Sequence, residues 1–110
     1  MPIPTYDELS LPLLELAADG NEHSFAEAVD CLAHRFQLSD AELLERLPSA
    51  RYPRFRHRVG WAKTDLIKAG LIVPVARARF RITEPGRSAL EMNPTKLDRR
   101  FLSQFPGFSG

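Results

Sequence analysis

The chain has one cysteine, Cys31, among 110 residues, so no internal disulfide staples it and its stability has to come from packing. No apolar run approaches the roughly 18 residues that a membrane span needs. The start, MPIPTYDELSLPLLEL, lacks the basic region and the continuous apolar core of a secretory signal. A reducing, cytosolic setting is therefore the default expectation. Internal repeats and low-complexity segments are also missing. The most informative scarcity is local: residues 51–87 hold two Asp/Glu beside ten Lys/Arg, whereas residues 1–50 hold ten beside two. A near-neutral net charge of +1 thus conceals two halves of −8 and +8. Clustered cations attract phosphates without reading sequence, which points to a polyanionic partner. The acidic half is expected to be solvated surface, its charge also keeping that side away from the polyanion.

At 110 residues with 44% hydrophobic content, the chain can bury the modest core of one compact domain. Thr5 and Glu8 have capping-box spacing and open a first helical segment, which Pro12 is expected to divide into a turn and a helix ending at Asp19-Gly20. Leu9, Leu13, Leu14 and Leu16 supply its buried stripe. Ser24 and Glu27 repeat the box, and Phe25, Ala28, Val29, Leu32, Ala33 and Phe36 recur at helical spacing to about Gln37. Ser39 and Glu42 form a third box before a short helix, AELLERL, closed by Pro48.

The next stretch changes character. Pro53 keeps its start extended, and from about Arg56 the spacing of Val59, Ala62, Leu66 and Ala69 predicts a helix that Gly70 can terminate. The opposite side carries His57, Gly60, Trp61, Thr64 and Lys68, with Arg56, Arg58 and Ile67 flanking. LIVPV and RFRIT are β-prone runs joined through Ala76-Arg77-Ala78, a short antiparallel hairpin whose first strand Pro74 confines to the sheet edge. Thr83 then caps a helix through EPGRSALEM, and TKLDRRFLSQF is amphipathic on Leu97, Phe101, Leu102 and Phe105.

Helix, helix, short helix, helix, hairpin, helix is the order of a winged helix-turn-helix. The expected fold is α+β, mostly α, with one β-hairpin wing and a C-terminal helix. The ordered segments PTYDELSLPLLELAADG, FQLSDAELLERLPSA, RVGWAKTDLIKAGLI, ITEPGRSAL and LSQFPGF further resemble the N-terminal domain of Mrr-type restriction endonucleases. The resemblance covers nearly the whole chain and is most specific in the RVGWA helix and the ITEPG turn. It implies a winged-helix domain that binds double-stranded DNA at residues 1–92. Residues 93–110 would then form the C-terminal helix and the start of a linker to a nuclease domain that cuts modified, typically methylated, foreign DNA. That nuclease chemistry needs an Asp and an Asp/Glu-x-Lys arrangement to hold Mg²⁺. The residues two before Lys63, Lys68 and Lys96 are Trp61, Leu66 and Pro94. None is a carboxylate, so this chain is expected to carry no catalytic residue and no cofactor, and to be an excised or naturally isolated binding domain. A stand-alone transcriptional regulator, or a winged helix docking an acidic protein, would share the same basic residues.

Within the basic block Arg outnumbers Lys eight to two, and the planar Arg fork can span a guanine edge or grip a phosphate in two places. His57, Thr64 and Lys68 are assigned to the groove, and Arg51, Arg54, Arg56 and Arg58 to the phosphates along its approach. Arg77 and Arg79 on the wing would reach the minor groove or backbone. Lys63 and Trp61 complete the candidate DNA-binding set. Trp61 either seals a packing contact, for which the C-terminal helix is the candidate and which is the favoured reading, or stacks on a modified or extruded base. Tyr52 and Phe55 pose the same choice between loop anchoring and stacking. Glu27, Cys31 and His34 fall on one side of a helix but lack a fourth ligand, so packing is favoured there over a metal site. His23 reads as a solvated loop residue. The apolar stripe of Leu97, Phe101, Leu102 and Phe105 either folds back on the domain or pairs with a second copy, giving a possible homodimer.

Overall fold

The computed structural model describes residues 4–39 and 54–105. Among them the order is α1 (Tyr6–Leu16), a 3₁₀ turn (Ala17–Asp19), β1 (His23–Ser24), α2 (Phe25–Arg35), α3 (Arg54–Lys68), β2 (Ile72–Ala76), β3 (Arg79–Ile82), α4 (Glu84–Glu91) and α5 (Arg99–Leu102). The fold is α+β, mostly helical and winged-helix-like. The third capping box, the AELLERL segment, Arg51 and Tyr52 lie outside the described residues. No described helix is long and apolar enough to cross a membrane.

The first helix starts where the capping box puts it: the Glu8 carboxylate accepts from the Thr5 N–H at 3.3 Å and from its hydroxyl at 3.1 Å. Pro12 does not divide the segment. It sits inside one continuous helix, although losing the bond to the Glu8 carbonyl and accommodating the ring costs about 3 kcal/mol. Leu9, Leu13 and Leu14 are each fully buried, which returns about 1.5–3 kcal/mol per side chain. Burial of the stripe on both sides of the proline outweighs the local defect.

Ser24 caps α2, its hydroxyl accepting from the Glu27 N–H at 3.0 Å. The Glu27 carboxylate does not return to the cap. It meets His23 Nδ1 at 2.7 Å, while His23 Nε2 lies 2.9 Å from Asp19 Oδ1. His23 is 6% exposed, a correction to its reading as a solvated loop residue. Polar groups on both ring nitrogens make its burial tolerable. Its backbone adds the strand missed by periodicity: two-residue β1 pairs antiparallel with β3, His23 opposite Phe80. The sheet order is β1-β3-β2, so β2 is the edge strand that Pro74 requires. A register irregularity between Pro74 and Ala76 twists that edge. The hairpin turns at Arg77-Ala78, with Ala78 at φ 58°.

Helix α3 begins at Arg54, two residues before the expected start, and buries Phe55, Val59, Ala62 and Leu66 against α1. Phe55 is 1% exposed, so it is core, not a stacking platform. Gly70 at φ 78° ends the helix in a left-handed conformation that an L side chain resists. The hairpin then feeds α4 through Thr83, whose hydroxyl accepts from the Gly86 N–H at 3.1 Å and donates to the Gly70 carbonyl. Gly86 packs directly on the chain before β2: a Cβ there would collide with the Leu71 carbonyl oxygen and the Ile82 side chain.

The C-terminal segment is helical only over Arg99–Leu102, capped by Asp98 Oδ1 accepting from the Phe101 N–H at 2.9 Å. Leu97 and Leu102 are 1% and 0% exposed within the monomer, with Phe101 and Phe105 partly buried on the same core. The stripe therefore folds back, and its two leucines are not available to a second copy. Pairing with a second copy, the other reading of this stripe, would have to use Phe101 and Phe105 alone.

Two outcomes follow for stability. Gly86→Ala forces a backbone shift at a buried contact and should cost about 2 kcal/mol, read as a melting temperature lower by roughly 10 °C; an unchanged melting curve would refute the close approach. The second concerns pH. Burial opposes a charge on His23, but the Asp19 and Glu27 carboxylates outweigh it and raise its pKa above 6.5, so its stabilisation is complete below about pH 6.5 and is lost as pH rises through the folded value. The His23 hydrogen bond, with the Asn21 N–H, lowers the Asp19 pKa below 3.8, so its contribution is present above about pH 3.8 and is lost as pH falls through the folded value. Thermal melts should show greatest stability at mildly acidic pH and a decline toward pH 8 that His23→Gln removes.

Candidate nucleic-acid interface

Packing α3 on α1 decides what its other side presents. The only acid in α3, Asp65, is on the buried side, 3% exposed, with Arg99 Nε 3.8 Å away. Burial raises the Asp65 pKa, while the Arg99 and Lys68 charges pull against that shift. The exposed side of α3 carries no carboxylate.

That side forms one wall of a recess of about 420 Å³ whose lining is Phe25, Arg56, His57, Gly60, Trp61 and Thr64. Residues 56, 57, 60, 61 and 64 share a face because they are separated by three or four positions in a 3.6-residue helix. Trp61 is 47% exposed, which corrects the favoured expectation that it seals a packing contact. The apolar volume under α3 is already filled by Phe55, Val59 and Leu66, leaving the indole no place inward. It is held nonetheless: Nε1–H donates to His57 Nε2 at 2.7 Å, with the two rings edge to face at 6.0 Å. An indole N–H only donates, so His57 Nε2 is the acceptor in this contact. Thr64 donates its hydroxyl to the Gly60 carbonyl at 3.0 Å.

Phe25, the first residue of α2, supplies the opposite side. Sequence spacing placed it in the α2 core stripe, but it is only partly buried. The Arg56 guanidinium lies 4.9 Å from its ring centroid and Lys63 Nζ lies 5.2 Å from it, a cation–π arrangement that fixes both charges at the rim. The sequence signal for this role was its place next to the Ser24 cap: a side chain in the first turn points back past the helix end. The wing is tied to the same corner, since the Phe25 N–H donates to the Ala78 carbonyl at 2.8 Å.

The structure separates the other candidates. Lys68 is exposed in the last turn of α3, outside the recess. Arg54 and Arg58, one turn apart, are both half-buried. Arg58 Nη1 donates to the Pro4 carbonyl at 3.2 Å, so it serves the start of the chain and does not share the Arg56 face. On the wing Arg77 is exposed at the turn, while Arg79 Nε pairs with Glu22 Oε1 at 3.2 Å. Arg81 was overlooked; strand alternation puts it, exposed, on the Arg79 side of β3, with Phe80 and Ile82 buried opposite. The Glu27, Cys31 and His34 triad is not assembled: Glu27 is engaged by His23 and Cys31 is exposed. Among the described residues no three His, Cys, Asp or Glu side chains cluster as metal ligands would.

Comparison with known proteins gives one match. The family model described as the Mrr N-terminal domain aligns with residues 6–92, a span that runs from the first residue of α1 past the end of α4. No curated protein and no solved structure matches the chain. With most of its length and every element from α1 to α4 inside that alignment, the chain belongs to the family of N-terminal domains of Mrr-type restriction endonucleases.

Proposed function

We propose that this domain binds double-stranded DNA and serves as the targeting module of an Mrr-like restriction endonuclease acting on modified, typically methylated, foreign DNA. The matched region is the N-terminal part of such restriction proteins, not their catalytic part, so phosphodiester hydrolysis is not assigned to it. The observation that carries the reading is the exposed side of α3: Arg56, His57, Trp61, Thr64 and Lys68 with no acid among them, the one carboxylate of the helix being turned inward. A major groove about 12 Å wide admits a helix. With α3 docked there, His57, Thr64 and Lys68 face base edges, and Arg56 and Lys63 on the Phe25 corner face phosphates. Arg77 at the wing turn reaches the flanking backbone or minor groove. The paired Arg79 needs to exchange Glu22 for a phosphate, and the half-buried Arg54 and Arg58 contribute mainly to the local field.

The reading makes salt the diagnostic variable. Roughly four phosphate contacts give a slope of about −4 for log K against log salt. Fluorescence-anisotropy titrations should return that slope, reduced by about one in Arg56→Ala and again in Lys63→Ala. Binding insensitive to salt, or none at low salt, contradicts phosphate contact and leaves this face as a protein-docking surface. Matched unmodified, cytosine-methylated and adenine-methylated duplexes test the finer claim. One methylated duplex should bind more tightly than the unmodified one, and equal affinity for all three would place discrimination outside this domain.

A further inference from the structure

Building on the DNA-binding reading, we propose that the recess between α3 and the start of α2 receives a single unstacked nucleobase, which stacks on the indole of Trp61. A paired base offers only its edges in a groove, because its faces are covered by its neighbours, and edges are read by side chains that project outward. A concavity of about 420 Å³ with aromatic lining is instead shaped for a flat group that projects into it.

Three observations support a built site. Trp61 is left 47% exposed beside the recess, although Met92, Val73 and Val75 are also exposed elsewhere, and its N–H is satisfied by His57 at 2.7 Å. The ring is thus oriented before any ligand arrives, which lowers the entropy lost on stacking. Second, the floor is bare without a backbone reason. A Cβ at Gly60 would meet only Phe25 Cζ, at an ordinary 3.8 Å, and glycine inside a helix is less favourable than alanine. Its absence of side chain keeps the recess open. Third, Arg56 and Lys63 are held over Phe25 at 4.9 and 5.2 Å, where they can meet the phosphates that flank a displaced nucleotide. Stacking tolerates any base, because each has a π face, while a hydrogen bond from its edge to the Thr64 hydroxyl oxygen, whose own proton goes to the Gly60 carbonyl, would supply preference.

The base can come from a duplex, by extrusion, or from an unpaired strand, and these sources differ in what they require of the DNA. Extrusion is easiest at a mismatched or damaged pair. Trp61 is the sole tryptophan of the chain, so its emission reports this site alone. The whole chain is titrated with a matched duplex, the same duplex carrying one mismatch, and the corresponding single strand, following Trp61 emission together with anisotropy of labelled DNA. Quenching that is stronger and tighter for the mismatched than for the matched duplex identifies extrusion; quenching by the single strand alone identifies an unpaired source. Either supports the pocket.

Gly60→Leu should fill the floor, abolish quenching and weaken binding about tenfold, with a melting temperature no lower than that of the parent. Trp61→Ala should lose a similar factor, and Trp61→Phe should retain most of the affinity. If the duplex binds with steep salt dependence while Trp61 emission stays constant and Gly60→Leu binds like the parent, the base pocket is overturned and the DNA reading stands. If no nucleic acid binds or quenches, both are overturned.

Discussion

Burial of one stripe along α3 is the constraint on which the rest of the structure depends. Phe55, Val59, Ala62 and Leu66 are each 1% exposed or less, and they lie against the leucines of α1. A helix rotated by one residue would turn roughly 100°, bringing the Arg56 or Gly60 side toward the leucines. The cost of burying a guanidinium there without partners exceeds the gain from any apolar contact that could replace it. The same packing therefore fixes the core and selects which side chains remain outside. It also explains the single carboxylate of the helix, which is carried on the packed side beside Arg99.

A second layer of coupling joins the wing to this helix through α2. His23 holds Asp19 and Glu27, its strand pairs with β3, and the next residue but one, Phe25, both accepts two cations over its ring and bonds to the wing turn. The corner thus positions the recess, the rim charges and Arg77 together. Gly86, pressed against the Leu71 backbone, and Thr83, bonded to the Gly70 carbonyl, anchor the far end of the hairpin. The hairpin is held at its tip by α2 and at its base by α4, which suits an element that keeps a fixed angle to α3.

Much of this was legible in the residues where the signal is local. The Thr5, Ser24 and Thr83 caps, the Val59-Ala62-Leu66 stripe, the stop at Gly70 and the edge position of Pro74 each follow from one turn of helix or one strand, and each is where the chain's own chemistry puts it. The misreadings arise where a distant partner decides. Pro12 stays within α1 because leucines on either side of it are buried by other elements. His23 is drawn in by a strand only two residues long, too short to show alternation, and by carboxylates four positions away on each side. Arg58 belongs to the same cationic run as Arg56 but bonds to the Pro4 carbonyl, far from it in sequence. Trp61 was expected inside because large aromatics usually are; the helix period puts it on the side opposite Phe55, Val59, Ala62 and Leu66, and that period prevails. Phe25 could be assigned to the core by spacing, and only the approach of α3 makes it a wall of the recess.

On the proposed function, the exposed side of α3, together with the Phe25 corner and the wing turn, is the surface that meets DNA. Amide chemical-shift perturbation in the isotopically labelled chain, titrated with a short duplex, tests it most directly. Changes should concentrate at Arg56, His57, Gly60, Trp61, Thr64 and Lys68 with Phe25, Arg77 and Ala78, with little change along α1. Perturbations centred on the acidic side of α1 and α2, or none at a concentration where anisotropy reports binding, would contradict it.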